Sequence, residues 1–134
     1  MTHYQDGTGL YLARGGRWSL SSRSVVLVVE DEWQVRDIFV SHLRKTGWSV
    51  VEADNSEHAI AMLDAGEPID IVGTDIQLIG ELTGWDVAEA FRAAQPAMPV
   101  IYVSGNAPQP SRLVPESVFF PKPYDPAAIL QCFR

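Results

Sequence analysis

Four separated places in the chain carry residues that could act together on a phosphoryl group. They are the acidic run Glu30-Asp31-Glu32, the carboxylate of Asp75, the hydroxyl of Ser104 before Gly105, and Lys122 before Pro123. Carboxylates gathered at one point repel each other unless a cation sits among them. Oxygen-only donors of high charge suit Mg²⁺, which keeps several waters and takes one or two carboxylates together with phosphate oxygens. A hydroxyl and an ammonium facing such an ion are what a transferring phosphoryl group requires, because its charge spreads over three oxygens that must be neutralised and held in line. The set therefore points to Mg²⁺-assisted transfer onto Asp75, with that carboxylate as the nucleophile.

Each piece alone has an ordinary use. The acidic run could be favourable negative charge at a helix start, Asp75 a helix cap, Ser104-Gly105 a loop and Lys122-Pro123 a surface turn. Order and position decide the matter, since each piece follows an apolar run: Val25 to Val29, Ile69 to Thr74, Pro99 to Val103 and Val118 to Phe120. Short apolar runs of this kind read as strands buried on both faces of a parallel sheet. In open α/β sheets the chemistry gathers beyond the carboxyl ends of such strands.

Between the runs the period changes to that of helices. Residues 32–46 place Val35, Ile38, Phe39 and Leu43 at helical spacing before Gly47. A further strand, Trp48 to Ala53, leads to a helix capped by Asn55 or Ser56, carrying Ala59, Ile60, Met62 and Leu63, and ending at Gly66. Gly84 to Gln95 sets Val87, Ala88 and Phe91 on one face, and a last helix starts at Asp125. Strands alternating with helices predict an α/β fold, a parallel sheet with right-handed crossovers and helices on both faces.

Composition bounds the reading. A chain of 134 residues, 46% hydrophobic, holds one domain with a real core. Its longest apolar run, Val25 to Val29, is far too short for a bilayer span, and the N-terminus lacks the apolar block of a signal peptide, which predicts a soluble, cytoplasmic protein without membrane contact. Cys132 is alone and has no disulfide or zinc partner within the chain. The net charge of −7 argues against direct binding of nucleic acid. Residues 1–23 stand apart, being rich in Gly and Ser. They read as a flexible tail, or as a short hairpin in which Leu10-Tyr11-Leu12 and Trp18-Ser19-Leu20 flank a turn at Gly15-Gly16.

Residues 24–134 resemble a response-regulator receiver domain of two-component signalling, through "VVLVVEDE", "DIQL", "YVSGNA" and "FFPKPYDP" in that order. The resemblance implies a flavodoxin-like, doubly wound sheet of five parallel strands in the order 2-1-3-4-5. It also implies a histidine kinase or histidine phosphotransfer protein as phosphoryl donor, and a phosphorelay in which the domain is not an enzyme beyond its own phosphorylation and aspartyl-phosphate hydrolysis. Carried over residue by residue, Asp75 is the phosphoacceptor and also a Mg²⁺ ligand, Asp31 a direct Mg²⁺ ligand, Glu30 a ligand acting through water, and the main-chain carbonyl of Gln77 completes the metal shell. Ser104 bonds the phosphoryl group and shifts upon phosphorylation, Lys122 pairs with it through a cis Lys122-Pro123 peptide, and Phe119 falls at the switch aromatic.

The departures from the family pattern are informative. Ile79 stands where a Pro is usual, and the loop to Gly84 is one residue longer than the commonest pattern. The stretch between Ser104 and Phe119 is short and contains Pro108, Pro110 and Pro115, so a shortened or irregular fourth helix is expected. The chain ends at Arg134, which predicts a stand-alone receiver whose output runs through a loop from Asn106 to Pro115 read by an unknown downstream protein, with Phe119 turning inward when Asp75 is modified. Dimer contacts, if any, are expected from Leu10, Leu12, Trp18 and Leu20. Three other classes compete with this reading. A dinucleotide site needs glycines where Glu30-Asp31-Glu32 stands, and a haloacid-dehalogenase-like phosphatase needs an Asp where Gln77 stands. A degenerate receiver, a protein-binding module without phosphorylation, is opposed by the intact set of Glu30, Asp31, Asp75, Ser104 and Lys122.

Overall fold

The computed structural model describes residues 3–5, 11–13, 24–105, 112–123 and 125–130. The apolar runs form β3 (Val25–Val29), β5 (Ile71–Asp75), β6 (Val100–Ser104) and β7 (Val118–Pro121), and the more polar run after Gly47 forms β4 (Ser49–Ala53). These five strands are parallel and lie in the order β4-β3-β5-β6-β7, which is 2-1-3-4-5 among themselves. They do not make up the whole sheet. Two further strands, β1 (His3–Gln5) and β2 (Tyr11–Ala13), pair antiparallel with each other, and β2 extends the sheet antiparallel to β7, with Tyr11 opposite Phe119 and Leu12 opposite Val118. Among the described residues the sheet thus has seven strands, the five parallel ones and this antiparallel pair. A turn at Gly15-Gly16, together with Leu10 and Trp18 to Leu20, lies outside the described residues.

Helices α1 (Trp33–Lys45), α2 (Ser56–Asp64), α3 (Gly84–Ala94) and α4 (Pro126–Leu130) cover both faces. Alternate residues of a strand face opposite sides. Leu27, Val29, Val72 and Tyr102 therefore meet Ala59 of α2 and Val87, Ala88 and Phe91 of α3, while Val26, Val28, Ile71 and Ile101 meet Phe39, Val40 and Leu43 of α1 and Ile129 of α4. On α1 the buried set is Phe39, Val40 and Leu43, and Ile38 is 55% exposed. Periodicity alone could not choose between Ile38 and Val40, which flank the same stripe.

Local signals fix the helix starts. The Asn55 side chain caps α2 by accepting from the His58 N–H at 2.7 Å. Thr83 and Asp86 form a reciprocal capping box on α3. Gly47 leaves α1 with φ of 94°, a left-handed value that favours glycine.

Between β6 and β7, residues 106–111 lie outside the described set, including Pro108 and Pro110. Residues 112–117 form turns, and the described part of this connection contains no helix. The turns are tied to α3 and β6. Arg112 pairs with Glu89 at 3.1 Å and with Asp86 at 3.5 Å, and sits 5.8 Å from the Trp85 ring centre. The Val114 N–H donates to the Tyr102 hydroxyl at 3.1 Å, and Arg92 donates to the Pro115 carbonyl. Burial pushes the Tyr102 phenol up to about 12, against the opposing effect of the Val114 N–H, so it remains neutral.

One glycine is set by close approach. The Gly84 N–H donates to the Ile76 carbonyl at 2.7 Å, and a Cβ on Gly84 would lie 1.9 Å from the Asp75 carbonyl oxygen. Helix propensity alone favours Ala over Gly by about 1 kcal/mol. Overpacking against backbone opposes this with 1–3 kcal/mol or more. Gly84→Ala should therefore lose about 2 kcal/mol in urea unfolding; a neutral or stabilised variant would show that the Asp75–Ile76 backbone can give way.

Candidate functional site

The carboxyl ends of β3, β5, β6 and β7 deliver the chemistry to one edge of the sheet. The β3 ladder runs one residue past the strand, with the Glu30 N–H donating to the Ala53 carbonyl of β4 at 3.0 Å. This places Glu30 inside the protein at 3% exposure, while Asp31 is half-buried and Glu32 exposed. Carboxylate oxygens of all three lie within 4.8 Å of one another. β5 delivers Asp75, 5% exposed, whose Oδ1 accepts from the Gln77 N–H at 3.4 Å. β6 ends at Ser104, also buried, whose carbonyl accepts the Lys122 N–H at 2.7 Å. That bond folds the chain back over the sheet edge after β7, where the Lys122-Pro123 peptide is cis.

The Lys122 ammonium closes the arrangement. It lies 2.8 Å from Asp75 Oδ2 and 3.0 Å from Glu30 Oε1, bridging two buried carboxylates from different strands. Burial works against the ammonium, but its hydrogen bonds to Asp75 and Glu30 outweigh this and hold it above the ordinary lysine range. Burial pushes Glu30 up to about 7, with the Lys122 hydrogen bond opposing and the Asp75 charge adding to the rise.

Among the residues singled out in the sequence, Glu30, Asp75 and Lys122 are in direct contact, Asp31 neighbours Glu30 in the acidic cluster, and Ser104 meets Lys122 through the backbone. Gln77 is the residue whose N–H holds Asp75. Phe119 is wholly buried, packed in the same apolar cluster as Tyr102 and Trp85, so its ring is already inward in this structure. The oxygen-only donors of Glu30, Asp31 and Glu32, with Asp75 joined to Glu30 through Lys122, fit a hard divalent cation; these residues could hold Mg²⁺.

The contacts of two residues were not foreseen. Arg36 Nη1 donates to the Glu30 carbonyl at 2.6 Å, and its Nε meets Glu52 Oε1 of β4 at 3.1 Å. A basic residue one turn into the helix that follows an acidic run was the available signal. Glu57 of α2 accepts the Glu81 N–H at 2.9 Å and so holds the loop after Asp75. That backbone hydrogen bond, the largest of several, keeps the Glu57 carboxyl below its usual value, and no sequence signal marks the contact, because it joins residues brought together only by folding.

Residues 26–133 match the response regulator receiver domain family. A solved response regulator receiver protein from Sinorhizobium medicae WSM419 is 34% identical, with a TM-score of 0.79, covering 82% of this chain and 90% of that one. A probable transcriptional regulatory protein of Picosynechococcus sp. (strain ATCC 27264 / PCC 7002 / PR-6) is 34% identical over 101 residues, and the sensor kinase CckA of Brucella abortus (strain 2308) is 34% identical over 110 residues. The matches cover 71% and 78% of this chain, but only 40% of the regulatory protein and 12% of the kinase.

Removing the ammonium leaves two buried carboxylates uncompensated. Lys122→Met should destabilise the chain by about 3 kcal/mol in urea unfolding with EDTA present. Adding Asp75→Asn should recover part of that loss, since one of the two charges is then gone. Equal stability of all three proteins would show that the bridge carries no net energy.

Proposed function

The chain belongs to the response regulator receiver domain family of two-component signalling, and from that premise we propose that it accepts a phosphoryl group on Asp75. The donor is the phosphohistidine of a histidine kinase or histidine phosphotransfer protein, and Mg²⁺ is required. The observation that carries this reading is the Lys122 ammonium between Asp75 and Glu30, 2.8 and 3.0 Å from their oxygens. The ammonium joins the carboxylates that follow β3 and end β5, while the Lys122 backbone N–H ties the same residue to Ser104 at the end of β6.

A carboxylate oxygen of Asp75 forms the new bond to phosphorus as the phosphorus–nitrogen bond of the donor breaks, and the electron pair stays on the imidazole nitrogen. Asp75 is fixed for this by the Gln77 N–H and by the close packing of Gly84 on its own carbonyl. Lys122 turns from the carboxylates toward the phosphoryl oxygens, whose developing charge it neutralises, and the Ser104 hydroxyl bonds one of them. Glu30, Asp31, Asp75 and the Gln77 carbonyl would hold the Mg²⁺. When bound, the ion neutralises phosphoryl charge and orients the group. Attack of water on the aspartyl phosphate later restores the carboxylate and releases inorganic phosphate.

The same reading makes the domain a switch rather than an enzyme acting on an outside substrate, with Ser104 and Phe119 as the residues that respond. No helix among the described residues is long and apolar enough to cross a membrane, and the reading places the chain in the cytoplasm, where a kinase would meet it. Its output is carried to a downstream protein, without direct contact to nucleic acid.

Incubation with acetyl phosphate and Mg²⁺ should produce a protein of higher mass, and peptide mapping should place the adduct on Asp75. EDTA or Asp75→Asn should abolish it. A labelled Asp75→Asn variant would sink the assignment, and an unlabelled wild type would favour the degenerate receiver that serves only as a binding module.

A further inference from the structure

The backbone of Glu30 is held at its N–H by the edge strand directly and at its carbonyl by Arg36, which the same strand fixes in turn. Its N–H donates to the carbonyl of Ala53 at 3.0 Å, and its carbonyl accepts from Arg36 Nη1 at 2.6 Å. Arg36 is itself fixed by Glu52, the residue before Ala53, through Nε and Oε1 at 3.1 Å. The other Glu52 oxygen lies 3.6 Å from Arg44 Nη2, so two guanidinium groups of α1 converge on this carboxylate. The Arg36 side chain is 18% exposed, which shields the pair from solvent more than an ordinary surface salt bridge.

We infer that Arg36 is a positioning residue for the metal-holding acidic turn, acting through the Glu30 carbonyl; the inference rests on the function proposed above. The turn needs such a hold because Glu30, Asp31 and Glu32 bring their carboxylates within 4.8 Å of one another, and their repulsion favours opening the backbone at that point. Lys122 restrains only the Glu30 side chain. Arg36 restrains the peptide group between Glu30 and Asp31, and so sets where the Asp31 carboxylate stands. A guanidinium suits the task because its planar fork addresses a carbonyl and a carboxylate at once in fixed geometry, whereas a lysine ammonium is a single flexible point charge.

Charge and position make opposite predictions here. A cationic Arg36 on its own would repel a divalent cation, so a purely electrostatic role implies that neutralising it tightens Mg²⁺ binding. Glu52 offsets part of that field, and the position of the ligands is the larger effect. Loss of groups that orient metal ligands commonly weakens metal binding 10- to 100-fold.

The test is calorimetric titration of Mg²⁺ into the full chain as wild type, Arg36→Gln and Arg36→Lys, with thermal unfolding in EDTA alongside. Both variants should bind Mg²⁺ about tenfold more weakly, and their labelling rate with acetyl phosphate should return to the wild-type value at saturating Mg²⁺. Should neither Arg36 variant fold, Glu52→Gln takes their place, with weakened Mg²⁺ binding again expected. Unchanged or tighter Mg²⁺ binding in the variants, with wild type binding and labelling normally, overturns the inference alone. A lowered unfolding temperature without a change in Mg²⁺ affinity also overturns it, since that is what a merely structural contact would give. A wild type that neither binds Mg²⁺ nor becomes labelled overturns the proposed function and this inference with it.

Discussion

The structure depends on how one ammonium compensates two carboxylates that the sheet buries. Glu30 and Asp75 end adjacent central strands, and each is nearly sealed from water. Burying charge of one sign is costly in a medium that screens poorly, and the cost is offset only by a close counter-ion with good geometry. The counter-ion is Lys122, from the far side of the parallel array. At about 4.8 Å per strand interval, β7 lies about 14 Å from β3, beyond the reach of a lysine side chain. The chain after β7 must therefore fold in over the carboxyl edge, and the bond from the Lys122 N–H to the Ser104 carbonyl is what turns it there.

A site assembled from four strand ends is only as precise as the backbones that carry them. Asp75 is fixed from behind by Gly84, because the absence of a Cβ lets α3 start directly against the Asp75 carbonyl. Glu30 is fixed from β4 by Ala53 and, through Arg36, by Glu52. The loop between Asp75 and α3 is tied to α2, where Glu57 takes up the Glu81 N–H. The exposed residues Ile79 and Leu82 lie on the part of the chain held in this way.

The parallel part of the fold was legible because strands buried on both faces cannot afford polar residues within the run, so Val25–Val29 and Val100–Ser104 announce themselves and their ends fall where the reactive side chains stand. The capping of α2 by Asn55 and the face of α3 carrying Val87, Ala88 and Phe91 were legible for similarly local reasons. Of strands β1 and β2, only the stretch Leu10-Tyr11-Leu12 was legible, as one arm of a possible hairpin, and their pairing was not. They are three residues each, and their pairing depends on the free edge of β7, which no local pattern reveals. Ile38 shares the helical spacing of Val35, Phe39 and Leu43, and only the placement of α1 on the sheet turns it to solvent. At the site, residue types and order marked the acids, the hydroxyl and the lysine. The supports Arg36 and Glu57 escaped notice because their meaning comes from contacts across the fold.

The connection between β6 and β7 bears on how a change at this site could leave it. Phe119, Tyr102, Trp85, Leu113 and Val114 share one apolar cluster, and Tyr102 stands opposite Phe119 in the sheet register. Close-packed interiors do not deform continuously, so a shift of one ring obliges its neighbours to repack. Here those neighbours belong to β6, α3 and residues 112–117; Arg112 joins the last two through Glu89 and Asp86, as does Arg92 through the Pro115 carbonyl, and the Tyr102 hydroxyl joins β6 to the Val114 N–H. Within the described part of the connection there is no independent helix that could move by itself. A displacement beginning at Ser104 or Phe119 must therefore work against α3 and the connection together, and the surface it alters includes the Arg112 side of α3.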